Sequence, residues 1–167
     1  KRGTEGKISA INFARKNKIP FFGICFGMQM AIIEFARNAL KIKKAGSSEL
    51  DKKCYPVIGL LNEWNKNGKL IKGTNKELGG TMRLGLYEAK LRHNSLIQKI
   101  YNSSTIFERH RHRYEVNINL KDKFESKGMI FSGISPDGKL PEIIELKNHP
   151  WFVGVQFHPE FKSRPLT

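Results

Sequence analysis

The stretch Phe21-Phe22-Gly23-Ile24-Cys25-Phe26-Gly27 leaves the backbone few options. It follows Ile19-Pro20 and runs directly into Met28-Gln29-Met30-Ala31-Ile32-Ile33-Glu34-Phe35-Ala36, which is apolar nearly all round. The first part reads as a short buried strand and the second as a buried helix, so a sharp turn must join them at the cysteine. Glycines two residues before and two after Cys25 let the backbone pass close by. This is the form of a nucleophile elbow with cysteine in the place of serine. The pattern predicts an α/β sheet in which a strand over Ile19–Ile24 lifts Cys25 to the sheet edge, between a helix over residues 7–18 and a second over Met28–Leu40. The polar stripe Glu34, Arg37, Asn38 and Lys41 is expected to face solvent. A helix opening at Phe26 directs its free N–H groups and positive end at the sulfur, which is expected to lower the thiol pKa and favour the thiolate.

A thiolate needs a base, and the base needs a partner that orients it. His158 stands at the end of the strand-like run Val153–Phe157, and His158-Pro159-Glu160 places a carboxylate two residues beyond it. In extended geometry residues i and i+2 point the same way, so Glu160 is expected to reach the His158 ring. His110 and His112 share such a face as well. No Cys or His cluster with zinc spacing accompanies them, and no metal is expected here.

Downstream of the elbow the signals turn to β structure. Runs over 57–61 and 69–71 flank Asn65-Lys66-Asn67-Gly68, an Asn-Gly hairpin signal. Further runs cover 81–91, 129–134, 142–146 and 151–157, with a turn at Pro136-Asp137-Gly138. Lys/Asn-rich stretches such as 72–76 read as solvated loops.

No repeat or linker splits the 167 residues, which suit one domain. Thirty Lys and Arg against fifteen Asp and Glu give +15, enough to draw nucleic acid by counterion release. The charge is spread along the chain without interleaved aromatics, so a basic nucleic-acid-binding module stands as an alternative and not as the first reading. No apolar run reaches the ~18 residues of a membrane span. With only Cys25 and Cys54, a disulfide framework is not expected, and a reducing, cytoplasmic setting fits. The opening Lys1-Arg2-Gly3-Thr4-Glu5-Gly6-Lys7 reads as a cut inside a longer protein.

The chain resembles the class I glutamine amidotransferases, and within them the glutaminase domain of the CTP synthase family. Five stretches carry the resemblance: RGTEGK at 2–7, GICFGMQ at 23–29, GGTMRLG at 79–85, ERHRHRYEVN at 108–117, and NHPW with QFHPEFK at 148–151 and 156–162. It implies the family fold, a flavodoxin-like open sheet flanked by helices with additional β-hairpins, whose N-terminal strands and upstream oxyanion loop would precede Lys1. It also implies a single glutaminase domain over 1–167. By position, Cys25 would attack the amide carbon of L-glutamine, His158 would carry the proton to ammonia, and Glu160 would orient His158. Phe26 would donate its N–H to the oxyanion. Gln29 would contact the substrate, Glu49 would hold its α-ammonium, and Arg113 its α-carboxylate. The resemblance further implies a synthetase domain on the same polypeptide that uses ATP and Mg to aminate UTP, GTP as activator, and a homotetramer. No cofactor is expected in this domain. The glutaminase domain of another amidotransferase remains an alternative.

Overall fold

The computed structural model describes residues 3–60 and 82–163. The expected Asn65–Gly68 hairpin, the 72–76 loop and Gly79-Gly80-Thr81 lie outside those residues. Helix α1 (Thr4–Asn17) leads into β1 (Phe21–Ile24), which turns at Cys25 into α2 (Phe26–Asn38). Ile19 and Pro20 fall outside the strand; proline has no N–H to give to a ladder. After α2 come β2 (Ala45–Ser47), β3 (Tyr55–Leu60), β4 (Arg83–Leu91), α3 (Leu96–Tyr101), β5 (Thr105–His112) and β6 (Tyr114–Val116). Then follow α4 (Lys121–Ser126), β7 (Met129–Ile134), β8 (Pro141–Leu146) and β9 (Phe152–Val155).

Six strands form one mixed sheet in the order β1-β9-β8-β7-β4-β5, and β2-β3-β6 form a second of three. Only β1 and β9 run parallel in the larger sheet, in the register Phe21↔Phe152 through Ile24↔Val155. The large sheet is packed on both faces, and alternation along its strands decides which side chain goes where. Ile144 and Phe152 join α1, α2, Met129 and Phe131 in one core; Ile143, Val153, Val155 and Phe157 join Ala89, Leu91, Ile97 and Ile106 in the other. Gly154 makes the first core possible at the elbow. A Cβ there would stand 2.8 Å from Ile144 Cγ1 and 3.1 Å from Met28 Cβ, so glycine lets α2 lie directly on β9.

Glu34 corrects the expected solvent stripe. Its side chain is fully buried and takes Arg15 Nε and Nη2 at 2.8 Å each, while Asn38 Nδ2 donates to it at 3.0 Å. The paired guanidinium arms explain how a carboxylate can sit on the buried face: α1 packs against α2 and brings a cation along. Arg37 is half-buried, and Asn38 and Lys41 do face solvent.

Candidate active site

The turn at Cys25 has the strain an elbow requires. Its φ of 49° with ψ of −100° is a conformation that non-glycine residues rarely adopt. The Cys25 N–H donates to Val155 O at 2.7 Å, one step beyond the β1–β9 ladder, and the Cys25 carbonyl accepts from Gln29 N at 3.2 Å to open α2. Strand and helix therefore hold the cysteine from both sides. Gly23 is needed sterically, since a Cβ there would meet the Gly27 carbonyl carbon at 2.8 Å. Gly27 is not: a Cβ at that position meets nothing within 4 Å. The expected symmetry of the two glycines holds on one side only.

The thiol also departs from expectation. Burial pushes the Cys25 pKa up to about 11. The Phe26 N–H at the helix start pulls it down, the carboxylates of Glu115 and Glu160 push it further up, and the Gln156 amide pulls it down. Desolvation exceeds what one helix N-terminus supplies, so the resting group is the thiol and a base has to take its proton.

His158, the residue expected to act as that base, is placed by backbone. His158 follows β9 and donates its N–H to Arg109 O at 2.8 Å, while Lys162 Nζ donates to Phe107 O at 2.7 Å, so the segment after β9 is laid against β5. Nδ1 of His158 stands 2.6 Å from Glu160 Oε1, and the ring stacks on Phe161 with centroids 4.6 Å apart. With Nδ1 donating to the carboxylate, Nε2 is left as the basic nitrogen. The pairing arises differently from the extended geometry expected: Pro159–Phe161 form a 3-10 turn, and this turn swings Glu160 back to the ring.

A pocket of about 310 Å³ lies beside the sulfur, lined by Cys25, Phe26, Gln29, Glu49, Met82, Arg111, His112, Arg113 and Tyr114. It gathers Cys25 with all four residues expected to bind substrate, drawn from the elbow, the loop after β2 and the bend between β5 and β6. Arg113 sits where the chain passes from the large sheet to the small one, so its neighbours on either side are fixed by different ladders. The pocket offers a carboxylate and guanidinium groups, a set that suits a ligand carrying an ammonium and a carboxylate. Gln29 is committed elsewhere: its Nε2 donates to Tyr114 O at 2.9 Å and to Gln156 Oε1 at 3.2 Å.

Behind the pocket wall lies a buried ionic group that sequence reasoning did not foresee. Arg83 contacts Glu142 at 2.8 Å and Glu115 at 3.4 Å and covers the Tyr87 ring at 4.5 Å. Glu115, the farther carboxyl, is pushed up to about 8 by burial, and Glu142 to about 7. His110 and His112 are held neutral, at about 2 and 3, by burial and the Arg83 charge. Their rings face each other, Nδ1 of His110 lying 2.9 Å from Nε2 of His112, which is how two neighbouring imidazoles satisfy each other in the interior. The strict in-out alternation of β5 was the available signal: Ile106, Glu108, His110 and His112 point inward, Phe107, Arg109 and Arg111 outward. Among the described residues no group of three or more His, Cys, Asp or Glu is arranged to hold a metal ion, and no helix is long and apolar enough to cross a membrane. Neither Cys25 nor Cys54 forms a disulfide.

The family profile described as glutamine amidotransferase class-I matches residues 1–167. The chain is 77% identical over 167 residues to the CTP synthase of Pelagibacter ubique, covering all of this chain and 31% of that protein. It is 57% identical over 166 residues to the CTP synthase of Rhodospirillum rubrum, covering 99% and 31%. It thus spans about a third of the length of these curated relatives. Among solved structures, the glutaminase domain of Trypanosoma brucei CTPS with bound acivicin superposes with a TM-score of 0.84 at 34% identity, over 99% of this chain and 61% of that one. A putative GMP synthase subunit from Thermoplasma acidophilum gives 0.54 at 19% identity over 93% and 55%, a likeness of fold alone. With its elbow and sheet on the one hand and a full-length profile match on the other, the chain belongs to the class I glutamine amidotransferase family.

Proposed function

We propose that this chain is the glutaminase part of a CTP synthase, hydrolysing L-glutamine at Cys25 and passing the ammonia to a synthetase domain of the same polypeptide. The observation that carries the reading is the pocket that joins a strained cysteine to Glu49 and Arg113. The Cys25 S–H proton passes to His158 Nε2 as the sulfur attacks the amide carbon, and the carbonyl oxygen takes up charge opposite the Phe26 N–H. The C–N bond then breaks, His158 returns the proton to the departing ammonia, and a γ-glutamyl thioester remains. Water adds with its proton taken by His158, the C–S bond breaks, and the proton returns to sulfur as glutamate leaves. Glu160 holds the His158 ring throughout. Glu49 would receive the α-ammonium and Arg113 the α-carboxylate, for which a planar fork is well shaped.

The names and identities of the relatives support the acceptor assignment. ATP, Mg and UTP would then belong to the synthetase domain, with GTP as activator and a homotetramer as the assembly. The test is made in the full-length protein. Cys25→Ala should lose glutamine-dependent CTP formation and keep ammonia-dependent formation from UTP and ATP. Retained glutamine use would overturn the nucleophile; glutamine hydrolysis without CTP from either nitrogen source would overturn the acceptor. Mass spectrometry after a glutamine-analogue electrophile should find the adduct on Cys25.

A further inference from the structure

Gln156 has no assigned role, yet it is fully buried and touches the sulfur. Its backbone N–H donates to Glu142 O at 2.8 Å, prolonging the pairing of β9 with β8. Its side-chain Nε2 stands 3.6 Å from Cys25 Sγ, a distance that suits an N–H donor on the large sulfur atom. The direction of this contact is fixed by the network. Tyr114 O can only accept, so the group of Gln29 facing it at 2.9 Å is the NH₂. The second N–H of that NH₂ meets Gln156 at 3.2 Å, where only Oε1 can receive it. Nε2 of Gln156 is then the end left for the sulfur.

We infer that Gln156 is a catalytic residue whose amide N–H stabilises the negative charge on Cys25 Sγ, and that Gln29 is a positioning residue that fixes this amide. The inference rests on Cys25 being the nucleophile. Sulfur carries charge twice in the reaction, when its proton has gone to His158 and again when the C–S bond of the thioester breaks. On attack the charge passes from the sulfur to the substrate oxygen, toward which the Phe26 N–H then donates, and it returns to the sulfur when the tetrahedral species collapses. A donor shared with the oxygen serves the sulfur only in part, and among the described residues the Gln156 amide is a further donor to it. The site is desolvated, where a preorganised donor acts more strongly than in water. Burial raises the thiol pKa, and the Gln156 contact works against it.

The experiment is the pH dependence of Cys25 alkylation by iodoacetamide in the full-length protein, read on the Cys25 peptide by mass spectrometry, beside glutamine kinetics. Gln156→Met keeps the bulk and removes the donor; Gln156→Glu turns a negative group toward the sulfur. The alkylation midpoint should rise by about one unit in Gln156→Met and further in Gln156→Glu, with the rate at neutral pH falling about tenfold in the first. Glutamine kcat should fall by a similar factor in Gln156→Met while KM changes little, because the residue meets the sulfur and not the substrate. Gln29→Met, which frees the amide to rotate, should shift the midpoint in the same direction by less, and this variant decides the matter if those at Gln156 do not fold. Folded variants whose alkylation profile and kcat match the parent overturn the inference. Cys25→Ala separates the two failures: if it keeps glutaminase activity the nucleophile reading falls, and if it is inactive while the Gln156 and Gln29 variants behave as parent, only this inference falls.

Discussion

Just beyond β9, His158 keeps 19% of its side chain exposed and holds Glu160 at 2.6 Å; within β5, His110 is 1% exposed and lies 3.7 Å from Glu142. Both are histidines beside a glutamate, one within a strand of the large sheet and the other in the turn that follows a strand. They serve opposite ends because of their surroundings. Around His110, burial and the Arg83 guanidinium hold the ring neutral, and the 3.7 Å separation is too long for a hydrogen bond. The pair is part of a packed ionic group that holds the pocket wall. His158 keeps contact with solvent and is held by the Glu160 carboxylate at 2.6 Å, a hydrogen bond that the buried pair lacks.

The sharpest way to break this contrast is to remove one member of each corner and read activity and stability together. His158→Ala, like Cys25→Ala, should lower glutamine-dependent turnover on the order of 10⁴-fold or more and leave the melting temperature near the parent value. Glu160→Ala should be milder than His158→Ala, since it orients and does not itself transfer the proton. If His158→Ala kept turnover within tenfold, the exposed pair would be no more catalytic than the buried one.

Arg83→Met should show the reverse. At alkaline pH, where Glu115 and Glu142 ionise, it leaves two buried carboxylates without their cation, which costs about 3–5 kcal/mol. Urea denaturation of the parent and variant measures this. A variant as stable as the parent would show that the buried group tolerates loss of its charge and that its carboxyls simply take up protons.

Between the corners lies the pocket, and Glu49 and Arg113, two of its charged residues, should change binding more than chemistry. Arg113→Ala and Glu49→Ala each remove a charge-assisted contact to a part of glutamine that does not react, and KM should rise roughly 10- to 100-fold. Arg113→Lys should stay impaired because a point charge cannot copy a fork. Steady-state kinetics over a wide glutamine range reads the effect; unchanged KM in both alanine variants would remove the pocket assignment.

The corner that holds Cys25 and His158 was the more legible of the two because its signals are local. A glycine two residues before the cysteine, a buried run after it and a carboxylate two residues past His158 all act within a few positions of the groups they shape. Even so, the carboxylate reaches the ring through a 3-10 turn and not an extended strand, since Pro159 starts that turn more readily than it continues a strand. The thiol pKa was misjudged because the helix N-terminus is local and the burial opposing it comes from the whole sheet. Glu34 was misplaced for the same reason: its partner Arg15 lies on another helix. Nothing in the neighbourhood of Arg83 announces Glu115 or Glu142, which reach it only through strand register and the change of sheet at Arg113. Gln156 was quoted within a motif but given no role, because its meaning depends on Gln29 and Tyr114, which come together only in the fold.

The smallest expected effect concerns the buried corner and its protons. Glu115 has a pKa raised from 4.5 to about 8 in the folded protein, so the folded state binds its proton more tightly than the unfolded chain does. The stabilisation is full below the unfolded value and is lost as pH rises through the folded one. His110 and His112 work the other way: with their values lowered, they contribute stability above their ordinary 6.5 that is lost as pH falls toward the folded values. On the alkaline side their contribution is constant, and the raised carboxyls and the raised Cys25 thiol set the slope, of which the Glu142 and Cys25 shares are common to parent and variant. Glu115→Gln replaces the protonated acid by a neutral amide of the same shape that cannot ionise, and Arg83 keeps Glu142 at 2.8 Å. Melting curves taken from about pH 5 to about pH 9 should therefore show the variant gaining on the parent as pH rises, by a few degrees at the alkaline end. Curves that run parallel across this range would mean that Glu115 ionises as readily in the folded protein as in the unfolded chain. In that case the buried corner would not be the locked counterpart of the exposed one, and the contrast between His110 and His158 would rest on geometry alone.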